Sequence, residues 1–214
     1  ALAEWMPAEA AAKARGEAAH AAWLKEHPMP PVPRGPGDSW TPSGLFNGMI
    51  APLIPYALRG ALWYQGESNA VRAAEYQRLF AAMIAAWRKQ FGQGDIPFFW
   101  VNLASFKVPG DTTDQTYAFL REAQTQTLEL PNTGQAIAID IGNPDDIHPA
   151  NKQEVGHRLA LLAKNRVYGV TGDDSGPTFA NVRLGSAALI VTFGHAGGGL
   201  IARDHPVTSV EIAG

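Results

Sequence analysis

Two short polar segments carry residue types that can do chemistry. The first is Gly142-Asn143-Pro144-Asp145-Asp146-Ile147-His148-Pro149, where a histidine follows two aspartates at spacings of two and three residues. A histidine with a carboxylate that close can act as general base while the carboxylate fixes the imidazole tautomer and stabilises the imidazolium. The same residues can also form a plain turn in which the aspartates satisfy loop backbone. The second segment is Gln65-Gly66-Glu67-Ser68-Asn69. A side-chain amide placed there can donate to a developing oxyanion, or Gln65 and Asn69 can cap the next helix or bond across the loop. Gly37-Asp38-Ser39-Trp40 looks like the start of a lipase-type nucleophile motif. That motif needs a buried strand before it, and here a proline-rich stretch precedes it, so we read it as loop. His20, His27, His157, His195 and His205 lack partners at metal-ligand spacing and read as structural or solvent-facing. Metal-assisted hydrolysis through Asp145, Asp146 and His148 is the weakest reading of the first segment, and no cofactor is expected.

These segments need elements to position them, and the pattern supplies an alternation. Gly60 to Tyr64 reads as a buried strand, and Val71 to Phe91 as a helix with Tyr76, Leu79, Phe80, Met83, Ile84 and Trp87 at helical spacing. Ile96 to Leu103 is a second strand, Gln115 to Leu130 a second helix, Gly134 to Ile141 a third strand and Asn151 to Tyr168 a third helix. Asn151 and Glu154 have capping-box spacing, Gly169 supplies the stop, and Val155, Leu159 and Leu162 mark the buried face. Strand and helix in alternation with short links imply a parallel sheet with right-handed crossovers, covered on both faces. Ligands bind such sheets beyond the carboxyl ends of the strands, and both polar segments follow a strand directly. Trp63 and Tyr64 read as core.

The flanks differ. Ala8 to Glu26 reads as one alanine-rich helix with a weak apolar face, followed by a proline-rich linker from Pro28 to Gly37. Leu45 to Tyr56 reads as a short helix. After Ser175, the runs Thr178 to Val182, Ala188 to Phe193 and Thr208 to Ile212 suggest antiparallel strands. The expected divisions are therefore 1–39 (helical insert and linker), 40–174 (α/β domain) and 175–214 (start of a β-sandwich-like module).

Composition narrows the function classes. The 214 residues carry a net charge of −3, against the basic stripe of a nucleic-acid binder. The absence of cysteine excludes disulfides and thiolate catalysis. No apolar run approaches the ~20 residues of a bilayer span, and the first residues, with Glu4 and Glu9, do not read as a signal peptide.

Taken together, several segments resemble the sialate O-acetylesterase family. They are Trp40-Thr41-Pro42-Ser43-Gly44-Leu45-Phe46-Asn47-Gly48-Met49-Ile50, Trp63-Tyr64-Gln65-Gly66-Glu67-Ser68-Asn69, Arg121-Glu122-Ala123-Gln124, Asp140-Ile141-Gly142, Asp146-Ile147-His148-Pro149 and Asn151-Lys152-Gln153-Glu154-Val155-Gly156. Phe193 and Gly197-Gly198-Gly199-Leu200 fit as well. The resemblance runs from about Trp40 to the end. It implies an SGNH-hydrolase fold, three-layer α/β/α, and removal of acetyl groups from sugar hydroxyls by a serine mechanism. It makes His148 the general base, Asp146 its orienting acid with Asp145 as understudy, Gln65 with Gly66 the oxyanion loop, and Glu67 a support of that loop. The family's nucleophilic serine sits on an early strand in a Ser-Ser-Trp-Gly-Gly-like segment that this sequence lacks. The expectation is an internal piece of a longer protein, with the first strand of the sheet missing, and inactive as an esterase alone. A non-catalytic carbohydrate-binding or interaction protein on the same fold is the alternative. The expected partner is an acetylated sugar or glycan, whether sialic acid, xylan or another, and the resemblance implies export.

Overall fold

A computed structural model describes residues 2–30, 41–113 and 115–200. Gly37-Asp38-Ser39-Trp40, Thr208 to Ile212, His205 and most of the proline-rich linker lie outside the described residues. The chain divides into two compact units, one ending at Tyr56 and one beginning at Ala57.

The second unit is built on three parallel strands, β1 (Ala61–Trp63), β2 (Phe98–Asn102) and β3 (Thr133–Ile137), in the order β1-β2-β3. Ala61 pairs with Phe98 and Trp63 with Trp100; on the other side Phe98 pairs with Thr133 and Asn102 with Ile137. Every residue of the central strand is buried, as a parallel strand covered on both faces requires. Alternation sends its side chains to two layers. Phe98 and Trp100 meet Tyr76, Phe80 and Ile84 of α3 (Ala73–Phe91) and Leu120 and Ala123 of α4 (Thr116–Gln126). Phe99 and Val101 meet Val155, Leu159 and Leu162 of α5 (Lys152–Arg166). The result is the expected three-layer α/β/α arrangement.

The first layer is largely aromatic. Phe80 meets Trp100 edge to face at 5.1 Å, and Trp63 meets Trp87 likewise at 5.8 Å, the geometry that opposed ring quadrupoles favour. Leu79 is the exception to the apolar spacing of α3 and faces outward. On the opposite face of β1, Leu62 is 63% exposed.

At the amino-terminal edge of the sheet Arg88, in the last turns of α3, is buried. Its guanidinium donates to the carbonyls of Ile96 (2.9 and 3.1 Å), Pro131 (2.7 Å) and Asn132 (3.3 Å). These carbonyls lie just before β2 and β3.

Other elements depart from the sequence reading. The single helix expected from Ala8 to Glu26 is two helices, α1 (Leu2–Lys13) and α2 (Glu17–Glu26). Gly16 breaks the run at φ +105°, a conformation open to glycine and costly for alanine. The two helices then fold against each other. Trp5 and Trp23 have ring centroids 5.3 Å apart, and Glu9 bonds His20 at 2.7 Å. The Leu45 to Tyr56 segment forms a wide π-type turn, Phe46–Ile50, and a 3-10 turn, Ala51–Leu53. The third strand ends at Ile137, and Ile139–Ile141 coil into a 3-10 turn. Asn151 caps α5 as expected, its Oδ1 accepting from the Glu154 N–H at 3.1 Å, while the Glu154 carboxylate turns to Arg158 instead of reaching back. Beyond the sheet, β4 (Thr178–Leu184) and β5 (Leu189–Gly194) form an antiparallel pair. Among the described residues no helix is long and apolar enough to cross a membrane.

Candidate active site

The loops that leave the carboxyl ends of β2 and β3 are tied to each other. The Lys107 N–H donates to the Pro144 carbonyl at 2.9 Å, and the Ser105 hydroxyl donates to the Ile139 carbonyl. Gly142 lies so close to Ser105 that a Cβ on it would sit 2.6 Å from the Ser105 carbonyl oxygen and 2.8 Å from its Cα. Lys152, at the start of α5, holds its ammonium 4.8 Å above the Tyr64 ring at the end of β1, a cation–π contact.

His148 stands on the β3 loop. The Asp146 carboxylate accepts from the His148 backbone N–H at 2.8 Å and lies 3.5 Å from Nδ1 of the same residue. One aspartate oxygen therefore takes the backbone hydrogen bond and stands within ion-pair reach of one ring nitrogen. At that separation the contact with Nδ1 is an ion-pair approach and not a hydrogen bond. The imidazole is 86% exposed, which leaves Nε2 open to a reacting group. Asp145 takes a different part: its N–H donates to Asn143 Oδ1 at 3.0 Å, within the turn that also bonds the Asp146 N–H to the Asn143 carbonyl.

Both ends of this loop are pinned by Arg158 of α5. It makes a two-pronged ion pair with Asp140 (2.6 and 2.7 Å), bonds Glu154 at 2.8 Å, and donates to the Ile137 carbonyl at 2.6 Å. The guanidinium hydrogen bonds hold the Asp140 carboxyl below its usual range, and Asp140 in turn raises the arginine further.

The β1 loop is held from below. Gln65 Nε2 donates to Asn69 Oδ1 at 2.8 Å, and its Oε1 accepts from the Tyr76 hydroxyl at 3.2 Å. Those two partners fix the orientation of the amide and use one of its two hydrogens. The other remains for a ligand. The Gln65 carbonyl accepts from Gln124 Nε2 at 3.2 Å and from Tyr76 at 3.3 Å. Gly66 follows at φ +151°, where a side chain would meet Leu120 Cδ2 at 3.0 Å.

Among the described residues the Glu67 carboxylate makes no hydrogen bond to this loop, and it acts through its field. Tyr117 is pushed up to about 12, first by burial and then by Glu67. Tyr64 and Tyr76 are raised as well, chiefly by burial, with Glu67 adding to the rise. All three tyrosines stay protonated at neutral pH.

Sequence reasoning placed the two polar segments, read Tyr76 only as part of a helix face and Gln124 only as part of a family-like segment, and gave no part to Arg158. A signal existed for Gln124. It stands on the stripe Tyr117, Leu120, Gln124, where helical spacing calls for an apolar side chain, and it is fully buried.

Comparison with known proteins gives the same grouping. Residues 38–165 match the sialic acid-specific acetylesterase family of carbohydrate esterases. The rat sialate O-acetylesterase is 37% identical over 60% of this chain and 27% of its own length. The human sialate O-acetylesterase is 36% identical, over 59% of the chain and 28% of that protein. Among solved structures, a carbohydrate acetylesterase from Xanthomonas citri is 49% identical with a TM-score of 0.67, covering 70% of this chain and 35% of that one. The chain thus spans little more than a quarter of the length of these curated relatives. With the parallel sheet and the strand-end loops described above, the chain belongs to the sialic acid-specific acetylesterase family of carbohydrate esterases.

Proposed function

We propose that this chain supplies the general base and the oxyanion loop of a carbohydrate O-acetylesterase. The observation that carries the reading is the pairing of His148 with Asp146 on a loop bonded to the loop that leaves the neighbouring strand β2 at the same sheet edge. A serine hydroxyl, carried by a segment outside the described residues, attacks the acetyl carbonyl, and His148 Nε2 takes its proton. Asp146 stabilises the imidazolium at Nδ1. The carbonyl oxygen becomes an oxyanion and is met by the remaining Gln65 amide hydrogen and the Gly66 N–H. The tetrahedral intermediate collapses, the C–O bond to the sugar breaks, and the proton on His148 passes to the sugar oxygen. Water, deprotonated by His148, then cleaves the acetyl-serine and releases acetate. The substrate class is an acetylated sugar, with O-acetylated sialic acid as the first candidate.

The test is hydrolysis of 4-nitrophenyl acetate and of an O-acetylated sialic acid. It compares the 214-residue chain with the protein extended by its upstream coding sequence. Turnover is expected in the extended protein. His148→Ala should lower kcat by about 10³-fold or more and Asp146→Asn by a smaller factor of about 10²-fold or more. A folded extended protein that binds the sugar without turnover, or a His148→Ala variant as active as the parent, overturns the reading.

A further inference from the structure

We infer that Gln124 is the positioning residue of the oxyanion loop, and this rests on the esterase reading of that loop. The ladder between β1 and β2 ends at Trp63 and Trp100. Beyond that pair β1 swings away into Gln65 and Gly66, while β2 continues to Asn102 beside β3. Three backbone groups are left without a ladder partner where the strands splay: the Gln65 carbonyl, the Val101 carbonyl and the Leu103 N–H. The Gln124 carboxamide reaches all three. Its Oε1 accepts from the Leu103 N–H at 3.0 Å, and its Nε2 donates to the Gln65 carbonyl at 3.2 Å and the Val101 carbonyl at 3.5 Å. The side chain thus stands in for a peptide group between two diverging strands.

Gln124 is itself oriented. Asn102 Nδ2 donates to its Oε1 at 3.3 Å and also to the Arg121 carbonyl at 3.1 Å. With its acceptor committed to Leu103 and Asn102, the amide turns its donor toward Gln65.

The loop depends on this contact. Gly66 offers no side chain to anchor it, and a Cβ there would lie 3.3 Å from Gln124 Nε2. Tyr76 of α3 is the other donor to the Gln65 carbonyl, with its one hydroxyl hydrogen shared between that carbonyl and Gln65 Oε1. Rotation of the Gln65–Gly66 peptide would move both proposed oxyanion donors, the Gln65 side chain and the Gly66 N–H, off their target. Holding one carbonyl therefore aims two hydrogen bonds.

The experiment uses the extended protein with the variants Gln124→Met and Gln124→Glu. Methionine keeps length and removes both polar atoms. Glutamate keeps the acceptor for Leu103 and donates to Gln65 only when protonated, and burial raises its carboxyl pKa. Gln124→Met is expected to lower kcat on 4-nitrophenyl acetate by about 10- to 100-fold with KM within about twofold, below the loss of a whole oxyanion donor. The ratio of Gln124→Glu to wild-type kcat is expected to fall as pH rises, a titration that a purely structural residue would not introduce. Amide hydrogen exchange across Gln65–Asn69, read on the same proteins, is expected to quicken by about tenfold or more in Gln124→Met as the loop opens. Wild-type kcat in Gln124→Met, a flat Glu-to-wild-type ratio, or unchanged exchange in the loop overturns the inference. Should the wild type turn over no ester while exchange still quickens in Gln124→Met, the esterase reading falls and the anchoring of the loop stands. Gln124→Glu keeps the side-chain shape and carries the test if Gln124→Met does not fold.

Discussion

A single oxygen of Asp146 bonds the backbone N–H of His148 and stands 3.5 Å from its Nδ1, so the acid and the imidazole are brought together within three consecutive residues. The longer-range support comes from Asp140 and Arg158. Asp140 titrates below its ordinary value because the guanidinium bonds its ionised form. A carboxyl whose folded pKa lies under its unfolded value of about 3.9 contributes stability above that pH and loses it as pH falls through the folded value. Since Asp140 is more than half exposed, solvent screening limits the pair to under about 1 kcal/mol. Wild type should therefore lose more melting temperature than Asp140→Asn between pH 6 and pH 3. Thermal melts at both pH values check this, and parallel losses would mean that the pair contributes nothing to folding.

At the scale of elements, two glycines make opposite predictions. Gly142 is extended, with no conformational need for glycine, yet a methyl group there would run into the backbone of Ser105. Neither chain can move without breaking the contacts between the β2 and β3 loops. Gly142→Ala should cost about 3 kcal/mol, the upper range for overpacking. Gly156 lies inside α5 with nothing within 4 Å of an added Cβ. Gly156→Ala should stabilise by about 1 kcal/mol through helix propensity. Denaturant unfolding of the two variants would show opposite shifts in midpoint, and a neutral Gly142→Ala would mean that the two loops are not in contact.

The same contrast separates what the sequence disclosed from what it hid. The strands were legible because Ala61 to Tyr64 and Phe98 to Val101 are continuous apolar runs. α3 was legible because Tyr76, Phe80 and Ile84 recur at helical spacing. The His148–Asp146 pair was legible because it is local. The break at Gly16 was not, since an alanine-rich run has no apolar stripe to show where one face ends. Arg158 was not, because its aspartate partner is 18 residues away. Gln124 carried a weak signal as a polar residue on an apolar stripe, but its role depends on where two strands splay, which no local pattern encodes.

For the whole second unit, a parallel sheet places stability and chemistry at opposite ends. The strands present their carboxyl ends to the candidate site, and the amino ends of β2 and β3 are closed by Arg88. Burial lowers the Arg88 pKa while Asp95 works against that. The four hydrogen bonds it donates join the entries of β2 and β3 to the end of α3. Arg88→Met would leave those carbonyls without their donor at a cost on the order of 3 kcal/mol, as for other buried charged groups that lose a partner. For a unit of 150–250 residues that unfolds by itself this corresponds to a fall of about 6–12 °C in its melting temperature. Five residues of strand span about 17 Å, so the site at the far edge should keep its geometry while the protein is folded. The expected result for the extended protein is a much lower melting temperature with kcat within about twofold of wild type, measured well below the melting point of the variant. A tenfold loss of kcat under those conditions would mean that strain at the amino edge passes along β2 to Leu103, whose N–H Gln124 holds, and the two ends of the sheet would then be one mechanical element.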